Sequence, residues 1–168
     1  MIVKLEAIRN GVEIITASKK SSGYDLQAVG YRRVKDVKLE EEVIFDSNNK
    51  SVILSPFEKI LILTGLKVDL SEGYEEYENG DTYIVDAQVL PRSGVSLKTS
   101  LLAIIGTIDN DYSGELGVII QNISNETALI NSFERIAQIR FTVCLKNNNI
   151  AKILTTDRNE KGFGHTGK

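Results

Sequence analysis

Work on a phosphate ester calls for a carboxylate, a cation and a hydroxyl, and this chain carries each in a short turn-forming segment. Gly106-Thr107-Ile108-Asp109-Asn110-Asp111-Tyr112-Ser113-Gly114 holds two aspartates two residues apart, with an aromatic ring beside them. An aspartate is ionised at neutral pH without special surroundings, so Asp109 can orient a water and accept its proton as a general base. Pro91-Arg92-Ser93-Gly94 offers a guanidinium, a hydroxyl and backbone N–H groups within one turn. That set matches the non-ester oxygens of a phosphate chain. Ser22-Gly23-Tyr24-Asp25-Leu26 places one carboxylate after a glycine at the head of a strand. A lone carboxylate suits Mg²⁺, which keeps several waters and takes one or two carboxylates plus phosphates. Gly162-Phe163-Gly164-His165-Thr166-Gly167 sets an aromatic ring between glycines. Such a segment can close over a flat ring while its amides and Thr166 approach phosphate oxygens. Alone, each segment also reads as an ordinary turn or glycine-rich tail. Together and in this order, they point to a nucleoside triphosphate.

Other chemistries fit less well. Gly162 to Lys168 matches the start of a P-loop, but the chain given ends at Lys168, so neither the following Ser/Thr nor the helix that would aim amides at phosphates is present. The only histidine, His165, lies in that tail, which argues against zinc held by several histidines. The single cysteine, Cys144, sits in the apolar run Phe141-Thr142-Val143-Cys144-Leu145 and reads as a buried structural thiol. A net charge of −3 and the lack of a Lys/Arg-rich run speak against a polynucleotide surface. No apolar run approaches the roughly 20 residues needed to cross a bilayer, and the alternating N-terminus has no signal-peptide core, so the expected setting is cytoplasmic.

The elements that must position these residues are strands. Hydrophobicity alternates with a period of two over Val34–Leu39, Lys59–Thr64, Thr82–Val89 and Glu115–Gln121, in runs rich in Val, Ile, Thr and Tyr. Turn residues recur at Asn48-Asn49, Asn79-Gly80, Ser113-Gly114 and Asn147-Asn148-Asn149. Many short strands at this spacing predict an antiparallel all-β sandwich or barrel. Gly106 to Gly114 reads as a strand entering a hairpin. Leu101 to Ile105 fits a short helix by composition, though five apolar residues do not decide it. The acidic stretch Glu72–Asp81 reads as an exposed hairpin tip, and a protein partner there is a second reading. One domain over residues 1–157 and a mobile arm over 158–168 describe the organisation.

Taken in order, the segments resemble the five motifs of the trimeric dUTPase family. Ser22 to Leu26 is close to the family's Ala-Gly-Tyr-Asp-Leu, and Pro91 to Gly94 is a full match. Gly106 to Gly114 departs mainly at Ser113, where the family often has Arg. Phe133-Glu134-Arg135-Ile136-Ala137-Gln138-Ile139 follows the fourth motif. Arg158 to Gly167 follows the fifth, with Asn159 where Gly is usual and His165 where Ser is usual.

The resemblance implies a jelly-roll-like distorted β-barrel, a C-terminal arm, and a homotrimer whose active sites are shared between subunits. It implies hydrolysis of dUTP to dUMP and pyrophosphate with Mg²⁺. In that scheme Asp109 activates the attacking water. Tyr112 lies under the deoxyribose, and the backbone from Gly106 through Thr107 and Ile108 towards Tyr112 reads uracil. Arg92, Ser93, Gly94 and Gln138 hold phosphates. Asp25 reaches Mg²⁺ through water. Arg158 meets the γ-phosphate, Phe163 stacks on uracil, and Gly164 and Thr166 bind phosphates. The rival readings are a dCTP deaminase of the same fold and a nucleotide-binding regulatory module without turnover. The segment from Leu66 to Pro91 is longer than the family's usual spacing.

Overall fold

The computed structural model describes residues 3–78 and 80–147. Its strands, in chain order, are β1 (Lys4–Ala7), β2 (Tyr24–Gln27), β3 (Gly30–Lys35), β4 (Lys38–Leu39), β5 (Val43–Ile44), β6 (Ser51–Leu54) and β7 (Lys59–Asp69). A single 3₁₀ turn, Ser71–Gly73, leads into β8 (Tyr74–Glu76) and β9 (Asp81–Pro91). The helix α1 (Ser93–Lys98) precedes β10 (Leu101–Ala103), β11 (Gly106–Ile108), β12 (Glu115–Asn122), β13 (Ala128–Asn131) and β14 (Arg135–Asn147). Among the described residues no helix is long and apolar enough to cross a membrane.

The strands build the all-β fold expected from the alternation. One sheet runs β10-β12-β7-β3-β4, with β1 also on β7 and β5 on β3. A second runs β11-β9-β14-β2, with β8 on β9, and β13 and β6 form a small third sheet. The core lies between the sheets and is filled by alternate residues. Leu116, Val118 and Ile120 point inward from β12, and Val85, Ala87 and Val89 from β9. Leu26, Ile60, Ile62, Leu66, Ile136 and Ile139 are fully buried beside them. Each such aliphatic side chain contributes roughly 1.5–3 kcal/mol on burial, so the period-two pattern is also the main source of stability.

Three local expectations need correction, and one open reading is settled. The alternation from Val34 to Leu39 is two strands, not one. Asp36 and Val37 both take positive φ and reverse the chain, so that Val34 pairs with Leu39 and Lys35 with Lys38. The pattern is nearly symmetric about the turn, which lets it pass for a single strand. Leu101 to Ala103 is a strand, and the helix lies just upstream, at Ser93–Lys98. The cationic turn at Pro91 to Gly94 is therefore a strand-to-helix corner. Cys144 is half-buried, because β14 runs on past the core. Its thiol donates to Asp86 Oδ2 at 3.2 Å.

The acidic stretch does form a hairpin. β8 pairs with β9 from Tyr74 opposite Ile84 to Glu76 opposite Thr82, and Gly80 closes the tip at φ +83°. Asn79 lies outside the described residues. The partner reading of this stretch has nothing in its favour. Its base, Leu70 to Gly73, instead packs onto β9 within the same chain.

Candidate active site

The segment from Gly106 to Gly114 does not close a hairpin. β11 pairs with β9, Gly106 opposite Val89 and Ile108 opposite Ala87. β12 pairs with β7 and β10. The two strands on either side of the loop thus enter different sheets and splay apart. A cavity of about 620 Å³ opens between them, within the range of small-molecule sites. Gly106, Thr107, Ile108, Asp109, Tyr112, Gly114 and Gly117 contribute to its wall, with Leu61, Val89 and Ile119 as the apolar part. β11 is an edge strand, and such strands carry unpaired backbone donors and acceptors.

The loop itself is fixed at several points. The Tyr112 N–H donates to the Asp109 carbonyl at 3.1 Å, and the Tyr112 hydroxyl donates to the Glu115 carbonyl at 2.8 Å. The Tyr112 ring lies over Gly114, where any side chain would collide with it. Glu115 is fixed in turn. Its carboxylate accepts the Gly65 N–H at 2.8 Å and a two-point contact from Arg9, with Nη2 at 2.6 Å and Nε at 3.1 Å. The hydrogen bond and charge of the Glu115 carboxylate, helped by Glu42, raise the Arg9 pKa above its ordinary value despite partial burial, which acts the other way. Asp109 is exposed at the cavity wall, and its carboxylate has no hydrogen-bond or ion-pair partner among the described residues.

A second cluster sits elsewhere on the chain. β14 lies between β9 and β2, so Gln138 stands opposite both Leu90 and Asp25. Gln138 Nε2 donates to the Pro91 carbonyl at 3.0 Å. Asp25 is buried and takes both neighbouring guanidiniums, Arg92 Nε on Oδ1 at 2.9 Å and Arg135 Nη1 on Oδ2 at 3.2 Å. Arg92 Nη1 also donates to the Arg135 carbonyl at 2.8 Å. Gly23 is required by packing, since a Cβ there would stand 2.6 Å from the Ile139 carbonyl of β14. Ser93 and Gly94 are exposed in the first turn of α1. Two guanidiniums around one carboxylate leave this corner with a net positive charge.

The structure thus brings Asp109, Tyr112 and Gly106–Ile108 together, and separately Asp25, Arg92 and Gln138. None of Arg92, Ser93, Gln138 or Asp25 lines the cavity that Asp109 and Tyr112 share. Arg158, Phe163, Gly164 and Thr166 lie outside the described residues. Sequence reasoning missed Arg9, Glu115, Arg135 as a partner of Asp25, and the side chain of Asn110. Arg9 and Glu115 are 106 residues apart, and no local spacing could have linked them.

The carboxylate loop, the splayed strands and the cationic corner define a class, an all-β fold with an aspartate at an open pocket. The chain belongs to the dUTPase family: the family's sequence pattern matches residues 35–167. A deoxyuridine 5'-triphosphate nucleotidohydrolase of Fusobacterium nucleatum is 42% identical over 123 residues, 71% of this chain and 77% of that protein. One from Wolbachia pipientis is 34% identical over 160 residues, 92% of this chain and 95% of that protein. In structure, a mutant dUTPase of Staphylococcus bacteriophage 80alpha with dUpNHpp superposes with a TM-score of 0.71 at 22% identity, covering 99% of both chains. A mutant dUTPase of phage phi11, described with a structural Mg(II) ion, gives 0.65 at 20% identity over 94% of this chain and 99% of that one.

Proposed function

We propose that the protein hydrolyses dUTP to dUMP and pyrophosphate, with Asp109 as general base. The observation that carries this reading is the cavity between β11 and β12, with a free carboxylate and a fixed tyrosine in its wall. Asp109 accepts a proton from a water whose oxygen bonds to the α-phosphorus. The bond from that phosphorus to the α,β-bridging oxygen breaks, and pyrophosphate leaves. Backbone groups of Gly106, Thr107 and Ile108 would pair with uracil. A site built for one hydrogen-bond pattern rejects cytosine strongly, because its buried groups would be left unpaired. The Tyr112 ring, held by its hydroxyl and by Gly114, would lie against the sugar and exclude a 2′-hydroxyl. The dUpNHpp bound by the phage 80alpha relative is consistent with this substrate class.

Arg92, Ser93, Gly94 and Gln138 would hold the triphosphate. They stand apart from the cavity on one chain, which supports a site completed by a second copy and a homotrimer with three shared sites. Leu97 in α1 and Ile105 just before β11, apolar and 84% and 64% exposed, suit a subunit contact. From sequence, residues 158–168 would form the arm that closes the site, with Arg158 and Thr166 on phosphates, Phe163 on the base and Gly164 close to the phosphate chain.

Mg²⁺ is the expected cofactor. No group of three or more metal-ligating side chains occurs among the described residues. Both Asp25 oxygens already bind guanidiniums. The donor set therefore fits an ion carried on the triphosphate oxygens, with Asp25 reached through a bound water, and it does not fit a dedicated protein cage. Such an ion would neutralise charge on the leaving pyrophosphate. The test is pyrophosphate release by the purified protein with Mg²⁺ from dUTP, dCTP, dTTP and UTP. Release from dUTP alone is expected. Ammonia from dCTP without pyrophosphate would replace this reading with deamination, and silence in both assays would leave a binding module.

A further inference from the structure

We propose that Asn110 is a positioning residue for Asp109, and that it works by tying the loop to two backbone carbonyls of the Leu66–Pro91 segment. The inference rests on the hydrolase reading above. The side-chain amide of Asn110 donates to two backbone carbonyls, Leu70 at 2.6 Å and Val85 at 3.0 Å. Both acceptors belong to buried residues, Leu70 and Val85 each being 1% exposed. Val85 lies in the middle of β9, paired with Val143. The Leu70 carbonyl also accepts the Gly73 N–H at 2.8 Å, which closes the 3₁₀ turn. Gly73 lets that turn sit flat on β9, because a Cβ there would stand 2.6 Å from Val85 Cβ. The Leu70 carbonyl is thereby held within reach of Asn110.

The consequence falls on Asp109. Its carboxylate has no partner among the described residues, so its direction is set by its backbone alone. That backbone lies between the three-residue strand β11 and the Tyr112–Glu115 contact. Asn110 is the only side chain within the loop, among the described residues, that ties it to both β9 and Leu70, just past β7. A carboxylate displaced by about 1 Å can lose ~100-fold in rate. The Leu66–Pro91 segment thus has an internal task, to supply both carbonyls that aim the base.

The test is steady-state kinetics on dUTP with Asn110→Ala, Asn110→Ser and the control Asp109→Asn, with oligomeric state and thermal midpoint measured for each. Serine keeps one donor where asparagine offers two. The expected order is wild type, then Asn110→Ser, then Asn110→Ala, with kcat for alanine ~10–100-fold lower. KM should stay within about threefold, because the groups proposed to read the nucleotide are held separately. If Asp109→Asn loses turnover but both Asn110 variants keep wild-type kcat, this inference falls and the hydrolase reading stands. A loss in kcat that merely follows the folded fraction would also overturn it and make Asn110 a structural residue. Turnover retained by Asp109→Asn would take the base role from Asp109 and overturn this inference with it, while hydrolysis of dUTP would stand.

Discussion

Asp109 and Asp25 are both aspartates in glycine-flanked segments, yet their surroundings fit them to opposite tasks. Asp109 is exposed in a cavity wall with no side-chain partner among the described residues, which suits a base that must reach a water. Replacing it with asparagine should lower kcat by ~10²–10⁴ while KM and the oligomer persist. A near-normal kcat in the pyrophosphate assay would take the base role from it. Asp25 is buried and bound by Arg92 and Arg135. Asp25→Ala should destabilise the fold by about 1.5–3 kcal/mol, toward the lower end because both guanidiniums reach solvent. It should also raise KM, since Arg92 would lose its anchor. Urea unfolding and kinetics on the same variant check both. An unchanged midpoint would mean that the two arginines do not depend on Asp25.

At the scale of elements, two turns show how local chemistry and strain set the sheets. Asp36 and Val37 form a two-residue turn at φ +49° and +65°, and Val37 is 97% exposed. Hairpins with positive φ at both positions favour Asn-Gly, and a β-branched residue there carries about 1–2 kcal/mol of strain. Val37→Gly should therefore stabilise the protein by about 0.5–1 kcal/mol after the added entropy of the unfolded chain is subtracted. A lower thermal midpoint in calorimetry would contradict this. The Asp46 turn makes a prediction about acid. The N–H groups of Asn49 and Asn48 donate to its carboxylate and hold its pKa below the ordinary aspartate value. A lowered folded pKa means stability that is present above the unfolded value of about 4 and is lost as pH falls through the folded one. Urea midpoints between about pH 5 and about pH 2 should fall more for the wild type than for Asp46→Ala. Parallel curves would show that the turn adds nothing to acid stability.

At the scale of the whole molecule, the separation of the two clusters is the main result. The cavity with Asp109 and the corner with Arg92 and Gln138 share no wall on one chain. If copies complete each other's sites, two inactive variants should rescue one another. Asp109→Asn and Arg92→Ala, unfolded together in equal amounts and refolded, should recover about one quarter of wild-type activity, since each site draws the two groups from different subunits at random. Zero recovery from a properly assembled oligomer would place both groups of each site within one chain.

How much of this was legible in advance differs from residue to residue. The all-β class and the core face of β9 and β12 could be read directly, as could the residue types offered at Asp109, Arg92 and Tyr112. Alternation along a strand and the order of the motifs are local properties, and local properties survive in a linear string. Other features depended on which strand a segment finds as its neighbour. The segment before Asp109 pairs with β9 and the segment after it with β7, so an expected hairpin became an open cavity. Asp25 met two arginines because β14 lies between β9 and β2. Asn110 reached Leu70 because a glycine lets a turn lie flat on a strand. By itself, the sequence determined which groups were available for chemistry and that they would ride on strands. Only the tertiary structure decided which of them share a wall, because pairing between strands distant in sequence is set by the packing of the whole core rather than by the residues beside each site.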